Sequence, residues 1–313
     1  MGILPEGIST YSADIDHLIW LITVLTGVGF IVSELVLIGF AVVYRRKDGV
    51  KASYLDGIGW KQFQWVVYPT IMLAFVDLTI DLETNKVWNK IMIDIPSTGR
   101  MISVTGEQFQ WRFGHPGDDG QLGTDDDRYT INELHIPVNE NILFTLEAKD
   151  VMHSFFIPNV RFKQDAVPGR LLRRWFQATK VGDFQIACAE ICGTGHSIMA
   201  ARLIVHTKED YDVWLATKPD IPAGRQLMLD NGCLACHSTD GSKVVGPSFK
   251  NLFGRTEKIS GGADIVVDEA YIIKSIKDPN ADIVEGFQSG LMPKVVVTDE
   301  EIDTIIEYIK TLK

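Results

Sequence analysis

Cysteine is scarce, with four residues in 313. They form two pairs, Cys188/Cys192 and Cys233/Cys236, each beside a histidine, so no cysteine remains for a disulfide staple. Basic residues are outnumbered 30 to 41, and the formal net charge of -11 argues against a nucleic-acid partner. Residues 1–44 contain no Lys or Arg at all, which removes the basic n-region of a signal peptide. With no cysteine near the N-terminus, a lipid-anchored mature end is excluded too. There is no internal repeat and no low-complexity tract.

Long apolar runs are present. Leu18–Tyr44 is almost uninterrupted, longer than the ~20 residues a helix needs to cross a bilayer. A second run covers about Phe63 to Leu82. Arg45, Arg46, Lys47, Lys51 and Lys61 lie between them. Positively charged loops stay in the cytoplasm, so the pattern predicts a two-span hairpin with both ends outside. Everything after about residue 84 is then extracytoplasmic. Glu34, Asp77 and Asp81 are costly in lipid and are expected to face partner helices.

Past a mixed stretch at 85–98, short strands are expected from Met101 to about His206. Ile142, Phe144, Leu146 and Ala148 alternate with polar or smaller residues, and Pro116–Gly120, Asn139–Asn141 and Pro168-Gly169 supply turns. About a hundred residues of such strands suggest a sandwich or Greek-key barrel. A helical stretch, Lys208 to Ala216, precedes a linker from Thr217 to Pro222. The last ninety or so residues are helical in character. Thr298-Asp299-Glu300-Glu301 is a capping box, and Ile302, Ile305, Ile306 and Ile309 form one helical face behind it.

Cys188, Cys192, His196 and Met199 put two thiolates, an imidazole and a thioether on one loop. His153 is the candidate for a further imidazole. Two thiols and an imidazole alone also suit structural zinc; the thioether favours copper. Cys233-Leu234-Ala235-Cys236-His237 is a c-type haem attachment sequence. Its thiols add to the haem vinyl groups at Cys233 and Cys236 while His237 reaches the iron. A zinc ribbon would need a second matching cysteine pair, and none exists. Met292 is the sole methionine after this sequence and the candidate sixth ligand. His17, His115, His135 and His206 have no ligand context and read as surface or structural.

Residues Asp150–Arg170 and Cys188–Met199 resemble subunit II of cytochrome c oxidase, in the stretch that builds its dinuclear copper A centre. The resemblance covers both spans, the strand region and the helix around Tyr211–Leu215. It implies a cupredoxin-like barrel in which His153, Cys188, Cys192, His196 and Met199 ligate copper through side chains and Glu190 through its carbonyl. It also implies a magnesium ion on the Glu190 carboxylate at the interface with subunit I. Two positions depart from the family pattern. Gln62 stands where many relatives carry a Glu at the mouth of a proton channel. Phe109 stands where many have a tryptophan proposed to admit electrons, with Trp111 close by; barrel core is the bland alternative for both aromatics. Residues 222–313 resemble a class I cytochrome c. Gly246-Pro247 and Asn251–Arg255 match its loop, where a proline carbonyl commonly accepts a hydrogen bond from the axial imidazole. The fusion resembles the caa3-type bacterial oxidases.

The expected architecture is therefore multidomain. Residues 1–90 form a transmembrane hairpin (spans about 18–44 and 63–82), 91–207 an all-β cupredoxin-like copper A domain, 208–221 a helix and linker, and 222–313 an all-α cytochrome c domain. The resemblance implies a bacterial cytoplasmic-membrane subunit taking electrons from cytochrome c or another donor, including a quinol-oxidising complex. Electrons would pass from haem c to copper A and on to the haems of subunit I, with subunit III as a further partner. Oxygen reduction and proton pumping must then occur in subunit I. The alternatives are a copper A-bearing nitric oxide reductase subunit and a free-standing membrane-anchored electron carrier.

Overall fold

A computed structural model describes residues 4–51, 54, 56–124, 126–217 and 220–313. Two compact units emerge, Ser9–Pro96 and a second made of Ser97–Lys313 with the segment up to Ile8.

The first unit is a helical hairpin, α1 (Ser12–Val43) and α2 (Trp60–Trp88), the latter continued by a π-helical turn at Asn89–Ile93. Both helices outrun the apolar stretches expected from sequence. The stretch read as a mixed lead-in at 85–98 is helical as far as Ile93. The physical reason is that lipid limits the apolar run, not the helix, which continues into the polar interface. Lys90 meets Asp14 at 2.6 Å and ties the two outer ends together.

In the second unit, two five-stranded sheets form a cupredoxin-like barrel. One runs β3 (Arg128–Ile131), β2 (Gln110–His115), β1 (Arg100–Glu107), β5 (Asn141–Ala148), β8 (Leu172–Gln177). The other runs β4 (Glu133–Pro137), β10 (Ala200–His206), β9 (Gly182–Cys188), β6 (His153–Ile157), β7 (Phe162–Ala166). β1 pairs parallel with β5 and β10 parallel with β4, while the other pairs are antiparallel. Period-two alternation sends Ile102, Val104, Phe144 and Leu146 inward. There Phe144 meets Phe155, Phe162 and Phe176 at centroid distances of 5.3–5.9 Å. The segment before the first span joins this barrel: Ile8 donates to the Asn159 carbonyl (2.8 Å) and accepts from Thr179 N–H (2.7 Å), and Lys180 pairs with Glu6.

Helix α3 (Lys208–Ala216) has the bounds that the sequence implied. Of the linker, Lys218 and Pro219 lie outside the described residues. Pro222, at the end of the linker, is the N-cap of α4 (Ala223–Asp230). After α5 (Cys233–Cys236) come a two-residue ribbon, β11 (Thr256–Glu257) with β12 (Ile265–Val266), then α6 (Glu269–Lys277) and α7 (Asp299–Thr311). Ile302, Ile305, Ile306 and Ile309 of α7 bury against Met228, Leu252, Val267 and Ile272. Gly224 lets α4 lie on α7, because a Cβ there would fall 2.5 Å from the Thr304 carbonyl oxygen.

Candidate metal centres

β9 ends on Cys188, and the loop to β10 carries Glu190, Cys192, His196 and Met199. Two backbone bonds fix its base, Cys188 N–H to the Met199 carbonyl (3.1 Å) and Ala189 N–H to the Ser154 carbonyl (3.0 Å). His153 opens β6, whose Phe155 is in register with Cys188, so the neighbouring strand delivers it to the loop. The five side chains expected from sequence converge. Cys188 Sγ lies 3.9 Å from His153 Nδ1 and 3.9 Å from Cys192 Sγ. Cys192 Sγ lies 3.6 Å from His196 Nδ1 and 3.7 Å from Met199 Sδ. The Glu190 carbonyl oxygen is 3.2 Å from Cys188 Sγ.

This donor set fits a dinuclear copper centre. The sulfurs stand far beyond the ~2.05 Å of a disulfide, and both cysteines, His153 and Met199 are buried. A thioether aimed at one thiol is a poor zinc ligand and a good copper one. His153 Nε2 donates to Asp150 Oδ1 at 2.8 Å, which orients the ring with Nδ1 toward Cys188. Burial raises the Cys188 pKa, but hydrogen bonding from His153 and the backbone outweighs it, bringing the thiol down to about 6. Burial and then the neighbouring Cys188 charge push Cys192 up.

The second centre is an apolar cavity lined by Cys233, Cys236, His237, Phe287, Leu291 and Met292, a set that fits a covalently held haem. His237 Nδ1 donates to the Pro247 carbonyl at 2.7 Å, and its ring stacks on Phe249 at 4.6 Å. That bond orients the imidazole and leaves Nε2 for a metal. A side chain at Gly246 would run into the ring, so the glycine keeps the loop close. Burial lowers the His237 pKa, keeping the ring neutral, as ligation requires.

Phe109 and Trp111 part company. Trp111 is wholly buried, edge-on to Phe155 at 5.0 Å and to His153 at 6.0 Å, and therefore belongs to the core beside the copper loop. Phe109 lies in the turn between β1 and β2, pressed against Gly193 and Gly195 of that loop, and lines the haem cavity together with Gln108. Two contacts went unanticipated from sequence. Asp150 Oδ2 accepts from Gln108 N–H at 2.7 Å while Oδ1 holds His153. The Gln108 side-chain amide donates to the Cys192 carbonyl at 2.5 Å. Asp150, three residues before His153, had a local signal; Gln108, 84 positions from Cys192, had none. His115 and His135 are buried and His206 bonds His135, consistent with structural roles.

Residues 120–206 match the family described as Cytochrome C oxidase subunit II, periplasmic domain, and residues 221–313 match Cytochrome c. Cytochrome c oxidase subunit 2 of Alkalihalophilus pseudofirmus is 31% identical over 314 residues, covering 95% of this chain and 86% of the relative. Cytochrome c oxidase subunit 2 of Bacillus sp. (strain PS3) is 28% identical over 296 residues, covering 86% and 80%. Among solved structures, the periplasmic domain of subunit II of cytochrome oxidase (CoxB) of Bradyrhizobium japonicum is 30% identical. It covers 39% of this chain and 94% of that one, with a TM-score of 0.35.

Proposed function

This chain belongs to the family of cytochrome c oxidase subunit II, fused to a cytochrome c domain, and from that premise we propose that it is the electron-input subunit of a caa3-type terminal oxidase. As a subunit II with these two domains it is membrane-anchored and carries sites for copper A and haem c within a multi-subunit haem–copper oxidase. When bound, the two groups supply low-reorganisation redox couples; the chain's residues hold them, keep water out and set their spacing. The proposed copper ligands are His153, Cys188, Cys192, His196, Met199 and the Glu190 carbonyl. The proposed haem c attachments are Cys233 and Cys236, with His237 and Met292 axial. Phe109, between the copper loop and the haem cavity, is the proposed point of electron passage. The Glu190 carboxylate is the proposed magnesium ligand toward subunit I, whose haems accept the electrons and reduce oxygen with proton translocation. Subunit III, an upstream cytochrome c or quinol-oxidising donor, and a bacterial cytoplasmic membrane complete the proposed setting, with domain limits near 90, 207 and 221.

The observation that carries this reading is the donor geometry. Two thiols, two imidazoles and a thioether meet in neighbouring pairs 3.6–3.9 Å apart, while one continuous cavity joins the haem attachment residues to Phe109. The expected result for His153→Ala or Cys192→Ser in the purified complex is a haem c that reductant still reduces but that no longer reoxidises, with oxygen consumption lost. Normal oxygen consumption by either variant would refute the proposed order of transfer.

A further inference from the structure

Resting on that reading but going beyond it, we propose that the β1–β2 hairpin is a bracket setting the distance between the two metal centres, with Gln108, Gln110 and Arg112 as its positioning residues. One end grips the copper loop. Gln108 donates its backbone N–H to Asp150, the partner of His153, and its side-chain amide to the carbonyl of Cys192. The other end grips the approach to the haem attachment residues. Gln110 Nε2 donates to the Leu229 carbonyl at 3.0 Å, and Arg112 donates to Asp230 Oδ1 at 2.8 Å and to the Asp230 carbonyl at 3.1 Å. Leu229 and Asp230 end α4, four and three residues before Cys233.

The strand period explains the division of labour. Trp111 and Phe113 point into the barrel core, so Gln110 and Arg112 point away from it. The carbonyls that they meet lie in the last turn of the helix, where a cation is also favoured by the helix dipole, and that of Leu229 also accepts from Gly232 N–H at 3.1 Å. Glu107 anchors the pair: its carboxylate, 8% exposed, accepts from Gln110 at 2.7 Å, Arg112 at 3.3 Å and Lys149 at 2.7 Å. Gln110 itself is 1% exposed. Separating the cytochrome domain would uncover these groups together, and breaking one partner of a buried polar set leaves the others unsatisfied. The helical domain is thus tied to the copper barrel by polar contacts placed at a hairpin that also touches a cysteine of the copper loop.

The test uses the intact oxidase complex carrying Gln110→Ala, Arg112→Ala or Asp230→Asn, with two readouts. Hydrogen–deuterium exchange of residues 228–232 reports docking whether or not copper is loaded. Reoxidation of flash-reduced haem c reports transfer to copper. For Gln110→Ala and Arg112→Ala the bracket predicts faster exchange at 228–232 and transfer slowed by roughly tenfold or more, with the haem c spectrum and copper content unchanged. Arg112→Lys should recover part of both effects. Asp230→Asn, made on the opposite domain, should follow the same pattern if an Arg112 variant fails to fold. Unchanged exchange in all three would overturn the proposal, even if transfer slowed. Absence of haem-to-copper transfer in the unmodified complex would instead refute the functional reading, leaving the exchange result to decide the bracket.

Discussion

At the scale of single residues, glycine on the copper loop marks where another side chain needs the room. A Cβ at Gly195 would enter the Phe109 ring, and Gly193, at φ +134°, would bring one to 2.7 Å from the Gln108 amide nitrogen. Forcing a methyl into such a packed site costs about 1–3 kcal/mol, and the loop that would yield carries Cys192 and His196. Gly195→Ala is therefore expected to lower copper retention against a chelator, measured by metal analysis, and Phe109→Leu in the same chain should restore part of it. Wild-type retention in Gly195→Ala would show that the ring has space to move. The ligand residues themselves were legible, because their types and short spacings carry the chemistry. Their supports were less so: nothing in the sequence around Gln108 or Gln110 announces carbonyl partners that lie 84 and 119 residues away.

At the scale of elements, local signals fixed what they physically control. The capping box is present as read, with Glu301 N–H donating to Thr298 Oγ1 at 3.3 Å and Thr298 N–H to Glu301 at 2.8 Å. Thr298→Ala should cost about 1 kcal/mol and Ile305→Ala, in the buried face behind it, about 2–5 kcal/mol, read by denaturant unfolding followed at the haem absorbance. A ranking with Thr298→Ala the more damaging would contradict the burial of α7. By contrast, the seating of α3 was not legible, because it depends on residues from four separate segments. Trp214 stacks on His135 at 4.1 Å beneath the Arg128 guanidinium at 3.8 Å, and His135 Nδ1 meets His206 Nε2 at 2.8 Å. Burial first, then His206, Arg128 and Arg202, holds the His135 pKa down to about 3. Burial also lowers His206 and His115. An unfolded imidazole titrates near 6.5, so as pH falls from about 6.5 toward 3 the unfolded chain binds protons that the folded one refuses. Stability is then lost in that window on acidification. The thermal midpoint, followed by tryptophan fluorescence, should fall across it, and His135→Gln should fall less steeply; an identical slope would remove His135 from the account.

At the scale of the whole molecule, the two helices and the segment before them determine sidedness. Most apolar side chains of α1 and α2 are exposed, Leu35 and Phe75 among them, as expected of surfaces whose solvent is lipid. The residues ahead of α1 bind the barrel through Ile8 and Glu6, so the chain's start and its metal domains share one side of the membrane. Two crossings between them put the connecting loop, with Arg45, Arg46 and Lys47, on the other. The positive charge of that loop is what the positive-inside rule expects of a cytoplasmic segment. The native cysteines give little background for thiol labelling, since one pair is buried and the other is expected to be consumed by haem. In intact spheroplasts a membrane-impermeant maleimide should therefore label Lys163→Cys on the barrel and spare Lys47→Cys. In inverted vesicles the preference should reverse. Labelling of both positions from the same side would mean that α2 does not cross, and the electron-receiving domains would then have to be placed anew.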